Sequence, residues 1–248
     1  KLGDIGLATI TVAKAMTAAP AATLAAIAEI GYTELGLSQL DGHSAEMLAT
    51  GMKRVGLRCP VLHTPWSELT EEKWPAVIAR AQLFGSRYIF CPSVPAAMWT
   101  TRAGISELAR VFNRAGAEGR REGVILGFHN HAAEFLPVDG EPAFGRFLDE
   151  TDPKLMQIEL DCYWVTKAGH DPVAWLRRWP GRTPALHIKD MAMGGGFADV
   201  GAGTIDWPRI FRERKRAGVK HFLVEHDQPK DELATARASY EYLRALRF

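Results

Sequence analysis

The sequence predicts an α/β fold, a (β/α)8 barrel in a single domain over residues 1–248. Three observations predict it. Short β-rich runs alternate with longer amphipathic segments along the whole chain. Helical segments close on a glycine that leads straight into the next strand, as in EIGYTELGLS, RVGLRCPVLHT and LFGSRYIFCP. Such junctions favour parallel strands joined by right-handed crossovers. Finally, 248 residues is the usual length for eight such units.

The elements run in order along the chain. IGLATITV (5–12) reads as the first strand and PAATLAAIAEI (20–30) as the first helix, stopped by Gly31. YTELGLS (32–38) is strand, and SAEMLATGMKRV (44–55) is helix closed by Gly56. LRCPVLHT (57–64) is strand, EEKWPAVIARAQLF (71–84) helix closed by Gly85, and RYIFCP (87–92) strand. The second half continues with a helix at 105–123, strand VILGFHNH (124–131) and a shorter helix at 141–150. Strand LMQIELDCYWV (155–165) precedes helix 171–179, and strand TPALHIKD (183–190) precedes helix 207–218. VKHFLVEHD (219–227) is the last strand and 231–246 the closing helix. The rival architecture, an open doubly wound sheet, usually carries a glycine-rich phosphate loop after its first strand. Here that strand runs into ITVAKAM, with no GxGxxG.

Composition removes several function classes. A formal net charge of +1 provides no basic field for nucleic acid, and the basic run Arg212, Arg214, Lys215 and Arg216 reads as a solvated helix face. Cys59, Cys91 and Cys162 lack CxxC spacing and read as small buried hydrophobes. No apolar stretch is long enough to span a bilayer. The expected location is the cytoplasm, or the periplasm if an export leader has been removed before Lys1.

A (β/α)8 barrel carries its chemistry at the carboxyl ends of its strands. Those ends are polar here. The third strand ends in His63, and the fifth in His129 and His131, with Glu134 just beyond. The sixth carries Asp161, the seventh His187, Lys189 and Asp190, and the eighth Glu225. A lone strand-end histidine is usually a hydrogen-bonded structural residue. Several converging from distant parts of the chain point to a site. Asp161 interrupts the apolar run QIELDCYWV, and a charge there is costly unless it is paired or binds a cation. Imidazoles and carboxylates without thiols suit Mn²⁺, Mg²⁺, Co²⁺, Fe²⁺ or Zn²⁺. Lys189 shares the strand face of His187. It reads either as a proton donor or as an ion-pair partner of Asp161, Asp190 or Glu225. Trp66, Trp99, Tyr163 and Trp164 are possible walls for a sugar, with Tyr163 and Trp164 on opposite sides of one strand. Arg182, ahead of the seventh strand, reads as structural. The glycines of VGAGTIDW (200–207) suit a loop that approaches a substrate closely.

Taken in order, GFHNHAAEF, IELDCYWVTKAGHDPVAWLRRWPGR, ALHIKDM, DVGAGTIDWPRIF and FLVEHD resemble the sugar phosphate isomerase/epimerase family of xylose isomerase-like TIM barrels, in the subgroup with an HNH segment. The resemblance covers most of the chain and is most specific over residues 124–227. It implies one divalent ion, Mn²⁺ first among the candidates, held by Glu, Asp, His and Glu from strands five to eight. Asp161, His187 and Glu225 match the last three positions. The first departs from the pattern: His129 stands where many members have glutamate, with His131 and Glu134 as alternatives.

In epimerases of this superfamily the strand-five and strand-eight glutamates move protons on opposite faces of the substrate carbon. With a histidine in the first place, Glu225 remains as base, and His131 or Lys189 has to act as the second group. His63, Trp66, Glu134 and Tyr163 are the expected substrate contacts. The implied activity is metal-dependent sugar isomerisation or epimerisation, through removal of a proton beside a carbonyl. Two alternatives stand beside it: a dehydratase or lyase acting on inososes or 3-keto-glycosides, and a non-catalytic sugar-binding barrel. The expected partner is a small sugar or keto-sugar, with neither nucleic acid nor membrane, and a homo-oligomer is compatible with the sequence.

Overall fold

The computed structural model describes residues 1–40 and 42–248. Eight parallel strands close into one barrel: β1 (Gly6–Ala8), β2 (Glu34–Leu37), β3 (Arg58–His63), β4 (Tyr88–Cys91), β5 (Ile125–His129), β6 (Met156–Asp161), β7 (Ala185–Ile188) and β8 (His221–Val224). Each pairs with its neighbours in chain order, and β8 closes on β1. Outside them lie the helices α1 (Pro20–Ile30), α2 (Ala45–Val55), α3 (Trp74–Phe84), α4 (Arg102–Arg121), α5 (Ala143–Glu150), α6 (Pro172–Arg178), α7 (Trp207–Arg212) and α8 (Glu232–Ala245). The glycine junctions behave as the sequence predicts. Gly31, Gly56 and Gly85 take left-handed conformations (φ 118°, 78° and 68°) that end their helices.

Most strands are shorter than their apolar runs, and in two of them the chain turns helical directly at the strand end. The run at 5–12 turns into a 3-10 helix at Thr9–Val12, and the run at 155–165 ends at Asp161. Cys162–Lys167 is helical instead of strand. Asp161 is its N-cap, with Oδ1 accepting the Trp164 backbone N–H at 3.0 Å. Strand alternation therefore does not govern Tyr163 and Trp164, and their expected placement on opposite strand faces is replaced by adjacent positions on a helical turn. The expected helix 207–218 divides into Trp207–Arg212 and Arg214–Ala217.

The main apolar core lies between barrel and helices, where Trp74, Phe112, Phe128, Phe144, Phe147 and Trp207 are fully buried. A smaller cluster of Val61, Tyr88, Phe90, Ala185 and Leu223 packs with Ile125. Two large members of it depend on glycine neighbours. A Cβ on Gly6 or Gly36 would collide with Leu223, and one on Gly127 with the Phe90 ring.

Arg182 ties the barrel's amino-terminal end together, in keeping with its structural reading. It is 5% exposed and donates to Leu148 O (2.6 Å), Thr151 Oγ1 (2.7 Å) and Met156 O (3.2 Å). Burial pulls its guanidinium down to about 10. Arg182→Met strands those acceptors in a dry site. It is expected to cost about 3 kcal/mol in urea unfolding, with turnover per folded molecule unchanged.

Candidate metal centre and active site

The carboxyl ends of β5 to β8 deliver four polar side chains to one point. His129, Asp161, His187 and Glu225 are all buried and offer ligand atoms within 4.8 Å of one another. Sheet register explains the meeting, since Asp161 lies beside His187 in the β6–β7 pair. Glu225 directly succeeds β8, and its backbone N–H donates to Ile188 O at 3.1 Å. Asn130, which just outlasts β5, clamps the cluster from the side. Its Oδ1 accepts the Asp161 backbone N–H (3.0 Å), and its Nδ2 donates to the Asp161 carbonyl (3.3 Å).

The donor set fits a divalent cation. Asp161 Oδ2 and His187 Nδ1, toward the cluster, and His129 Nδ1, His187 Nε2 and Glu159 Oε1, around Glu159, are buried without an aligned hydrogen bond among the described residues. Such groups are costly unless something satisfies them. His187 Nδ1 stands 2.6 Å from Glu225 Oε2 and 4.0 Å from Asp161 Oδ2. Two imidazoles and two carboxylates, with no thiol, suit a borderline or hard ion. Two ligands bound at about 2.2 Å span at most roughly 4.4 Å, so a contraction of a few tenths of an ångström completes the shell.

Lys189 lies beside this cluster and is 1% exposed. Its Nζ meets Glu225 Oε1 at 2.6 Å, Asp227 Oδ1 at 2.8 Å and Asp161 Oδ2 at 3.1 Å. Burial alone would pull the ammonium down, but Asp161, Glu225 and Asp227 outweigh it and hold Lys189 firmly protonated. Glu225 has the converse balance. Burial would raise its carboxyl, yet His187 and Lys189 hold it well below the usual range. Burial dominates at Asp161 and pushes it up to about 6. Asp190, one of the expected partners of Lys189, turns the other way. It accepts from the backbone N–H of Met191, Gly201 and Ile205 and from Trp207 Nε1 (2.8–3.1 Å). In VGAGTIDW, Gly203 thus serves close packing on Asp190, where a Cβ would collide with the carboxylate, and Gly201 packs against the Tyr242 ring.

The remaining expected residues separate. His131 is partly exposed next to the cluster, with its ring 4.9 Å from His129 and 5.3 Å from Trp164. Burial and Lys189 push it down to about 4, so it is neutral at pH 7. Glu134 is buried and accepts the His131 backbone N–H at 3.0 Å, which holds the loop after β5. His63 reaches inward, but its Nε2 lies 2.6 Å from Glu159. Tyr163 is buried, with its hydroxyl donating to Gly195 O at 3.0 Å, whereas Lys189 Nζ sits 5.3 Å from the Trp164 ring centre. Trp66 stacks on Phe112, 6.2 Å away. Trp99 packs edge-on against Phe128 and Phe147 in the core.

Sequence reasoning missed Glu159 and Asp227. Glu159 is fully buried among His63, His129 and His187. Its signal was available, because Glu159 stands two residues before Asp161 and shares its strand face. Asp227 stands two residues beyond Glu225 in the same way, past the end of β8.

Comparisons with known proteins agree with the fold. A family model described as Xylose isomerase-like TIM barrel matches residues 24–246. An inosose dehydratase of Geobacillus kaustophilus (strain HTA426) is 24% identical over 230 residues, covering 76% of this chain and 73% of that protein. One of Geobacillus thermodenitrificans (strain NG80-2) is 25% identical over 135 residues, 47% of this chain, and the match spans only 45% of that protein's length. The crystal structure of a sugar phosphate isomerase/epimerase from Parabacteroides distasonis ATCC 8503 superposes with a TM-score of 0.86 at 24% identity, covering 98% of both chains, and shows the same fold. The match along nearly the whole barrel means that this chain belongs to the xylose isomerase-like TIM barrel family.

Proposed function

We propose that this protein is a divalent-cation-dependent enzyme that takes a proton from the carbon next to the carbonyl of a sugar or keto-sugar. One observation carries the reading. Glu225 presents Oε2 to the cation cluster and Oε1 to the buried ammonium of Lys189. A base, an acid and an ion site thus share one carboxylate. His129, Asp161, His187 and Glu225 would hold the ion, with Mn²⁺ the first candidate. A bound divalent ion acts as a Lewis acid on a carbonyl oxygen and lowers the cost of the negative charge that appears when the neighbouring carbon loses its proton.

The chain's own groups supply the proton transfers. Glu225 is the base. Lys189 keeps it ionised and takes part as the nearest acid, and Asp227 holds Lys189 in place. His131 is the proton carrier on the β5 side, and the Trp164 ring lies 5.3 Å from both the His131 ring and Lys189 Nζ. The family's enzymes suggest a small sugar-like substrate rather than a polymer.

After the proton is removed, two outcomes are open. Isomerisation returns to the neighbouring carbon the proton that Glu225 took, while His131, neutral at pH 7, relays a proton between the two substrate oxygens. Elimination expels water or an alcohol, a task for the ammonium of Lys189. The arrangement of charge favours elimination. The carboxylates and Lys189 come from the β6–β8 side, while β5 contributes imidazoles. The likeness to inosose dehydratases points the same way.

Incubation with Mn²⁺ in D2O, with ketoses, inososes and 3-keto-glycosides as substrates, separates the outcomes by mass spectrometry. The expected result is loss of water or an alcohol from one class. A deuterated product otherwise unchanged in mass indicates isomerisation or epimerisation. No deuterium uptake and no product from any class would contradict the proton-transfer reading.

A further inference from the structure

Glu159 is a buried carboxylate with no part in the proton transfers of Glu225, Lys189 and His131. It is fully inaccessible, and three imidazoles surround it: His63 Nε2 at 2.6 Å, His187 Nε2 at 3.2 Å and His129 Nδ1 at 3.5 Å. Register places it there, since Glu159 pairs with His129 across β5–β6 and lies one inward position below Asp161. An isolated carboxylate is expensive in such a place, so the surrounding ring nitrogens must present hydrogens to it.

That demand has a consequence for the cation cluster. An imidazole that binds a cation is neutral and carries one N–H. At His187 two carboxylates compete for it: Glu159 on the Nε2 side and Glu225, 2.6 Å away, on the Nδ1 side. If the hydrogen sits on Nδ1, it occupies the nitrogen 2.6 Å from Glu225 and blocks it as a ligand. If it sits on Nε2, the Nδ1 lone pair faces the oxygens of Asp161 and Glu225. Glu159 opposes the blocking arrangement. The same carboxylate favours a hydrogen on His129 Nδ1, which frees Nε2 of that ring.

We infer that Glu159 is a positioning residue for the metal centre: it fixes which nitrogen of His187, and by the same means of His129, is free to bind a cation, and it holds His63 as its third donor. The inference rests on the reading of His129, Asp161, His187 and Glu225 as the ion site. Outer carboxylates of this kind usually change metal affinity by about 10- to 100-fold. Glu159→Gln is the informative change. A glutamine amide keeps the shape but can donate to Nε2, which favours the blocking form of His187.

The test is calorimetric titration of wild-type protein and Glu159→Gln with Mn²⁺, alongside thermal unfolding of both without added metal. The expected result is one ion per chain in each, bound about 10- to 100-fold more weakly by the variant, with both proteins unfolding in one cooperative step. Equal affinities within about twofold would overturn the inference and leave the metal centre standing. Two ions in the wild type and one in the variant would make Glu159 a ligand itself, which also overturns it. A wild type that binds no ion would overturn both this inference and the centre. Should the variant fail to fold, ¹⁵N-histidine NMR of the Zn²⁺-loaded wild type decides the question alone. His187 carrying its hydrogen on Nε2 is expected, and hydrogen on Nδ1 would overturn the assignment.

Discussion

Lys189→Met is expected to lower turnover by roughly 10²- to 10⁴-fold, the usual contribution of a positioned acid or base. It is also expected to destabilise the metal-free protein by on the order of 3–5 kcal/mol, because one partner of a buried ionic cluster is removed. The reason lies in the arrangement around Nζ. Three carboxylates, Asp161, Glu225 and Asp227, stand within 3.1 Å of it, and Lys189 is the only lysine or arginine paired with them among the described residues. Without it their charges face one another in a site where Asp161 is wholly inaccessible and Glu225 is 6% exposed. A divalent ion would then stabilise the variant more than the wild type. Urea unfolding with and without Mn²⁺ measures this difference, and single-turnover kinetics measure the loss of proton transfer. A variant that keeps wild-type turnover would remove Lys189 from the mechanism and leave it as a structural ion pair.

Asp161→Asn is expected to weaken divalent-ion binding by at least about 100-fold and to reduce activity to background. The substitution is selective. Asp161 has three contacts: its Oδ1 caps the turn at Cys162–Lys167, and its Oδ2 stands 3.1 Å from Lys189 Nζ and beside the cation cluster. Asparagine is as good an N-cap as aspartate, so the local backbone should survive. The change removes a charge from a buried donor set. Fold is checked by circular dichroism, and ion binding by titration at constant pH. Near-normal affinity in Asp161→Asn would show that the carboxylate is not a ligand.

The barrel was legible because its signals are local. Glycine at the end of a helix, with an apolar run after it, marks several units, and Gly31, Gly56 and Gly85 show the left-handed geometry that this pattern implies. The meeting of Asp161, His187 and Glu225 was legible from their places at strand ends. Less was visible where a strand stops. CYWV after QIELD has strand composition, but the Asp161 side chain caps a helix there, and capping depends on a backbone turn that composition does not encode. Glu159 was overlooked because it sits within an apolar run, and only period-two counting back from Asp161 exposes it. The partners of His63 and Tyr163 depend on segments far away in the chain. Glu159 lies 96 residues from His63, and Gly195 lies 32 residues from Tyr163.

Everything proposed for the catalytic groups depends on one divalent ion binding at the carboxyl ends of β5 to β8. An anomalous-difference map from crystals grown with Mn²⁺ tests it most directly. The expected map has a single strong peak bonded to His129, Asp161, His187 and Glu225, with Glu159 outside the shell. A map without a peak there, or a peak held by His131, Glu134 or Glu159, would contradict it.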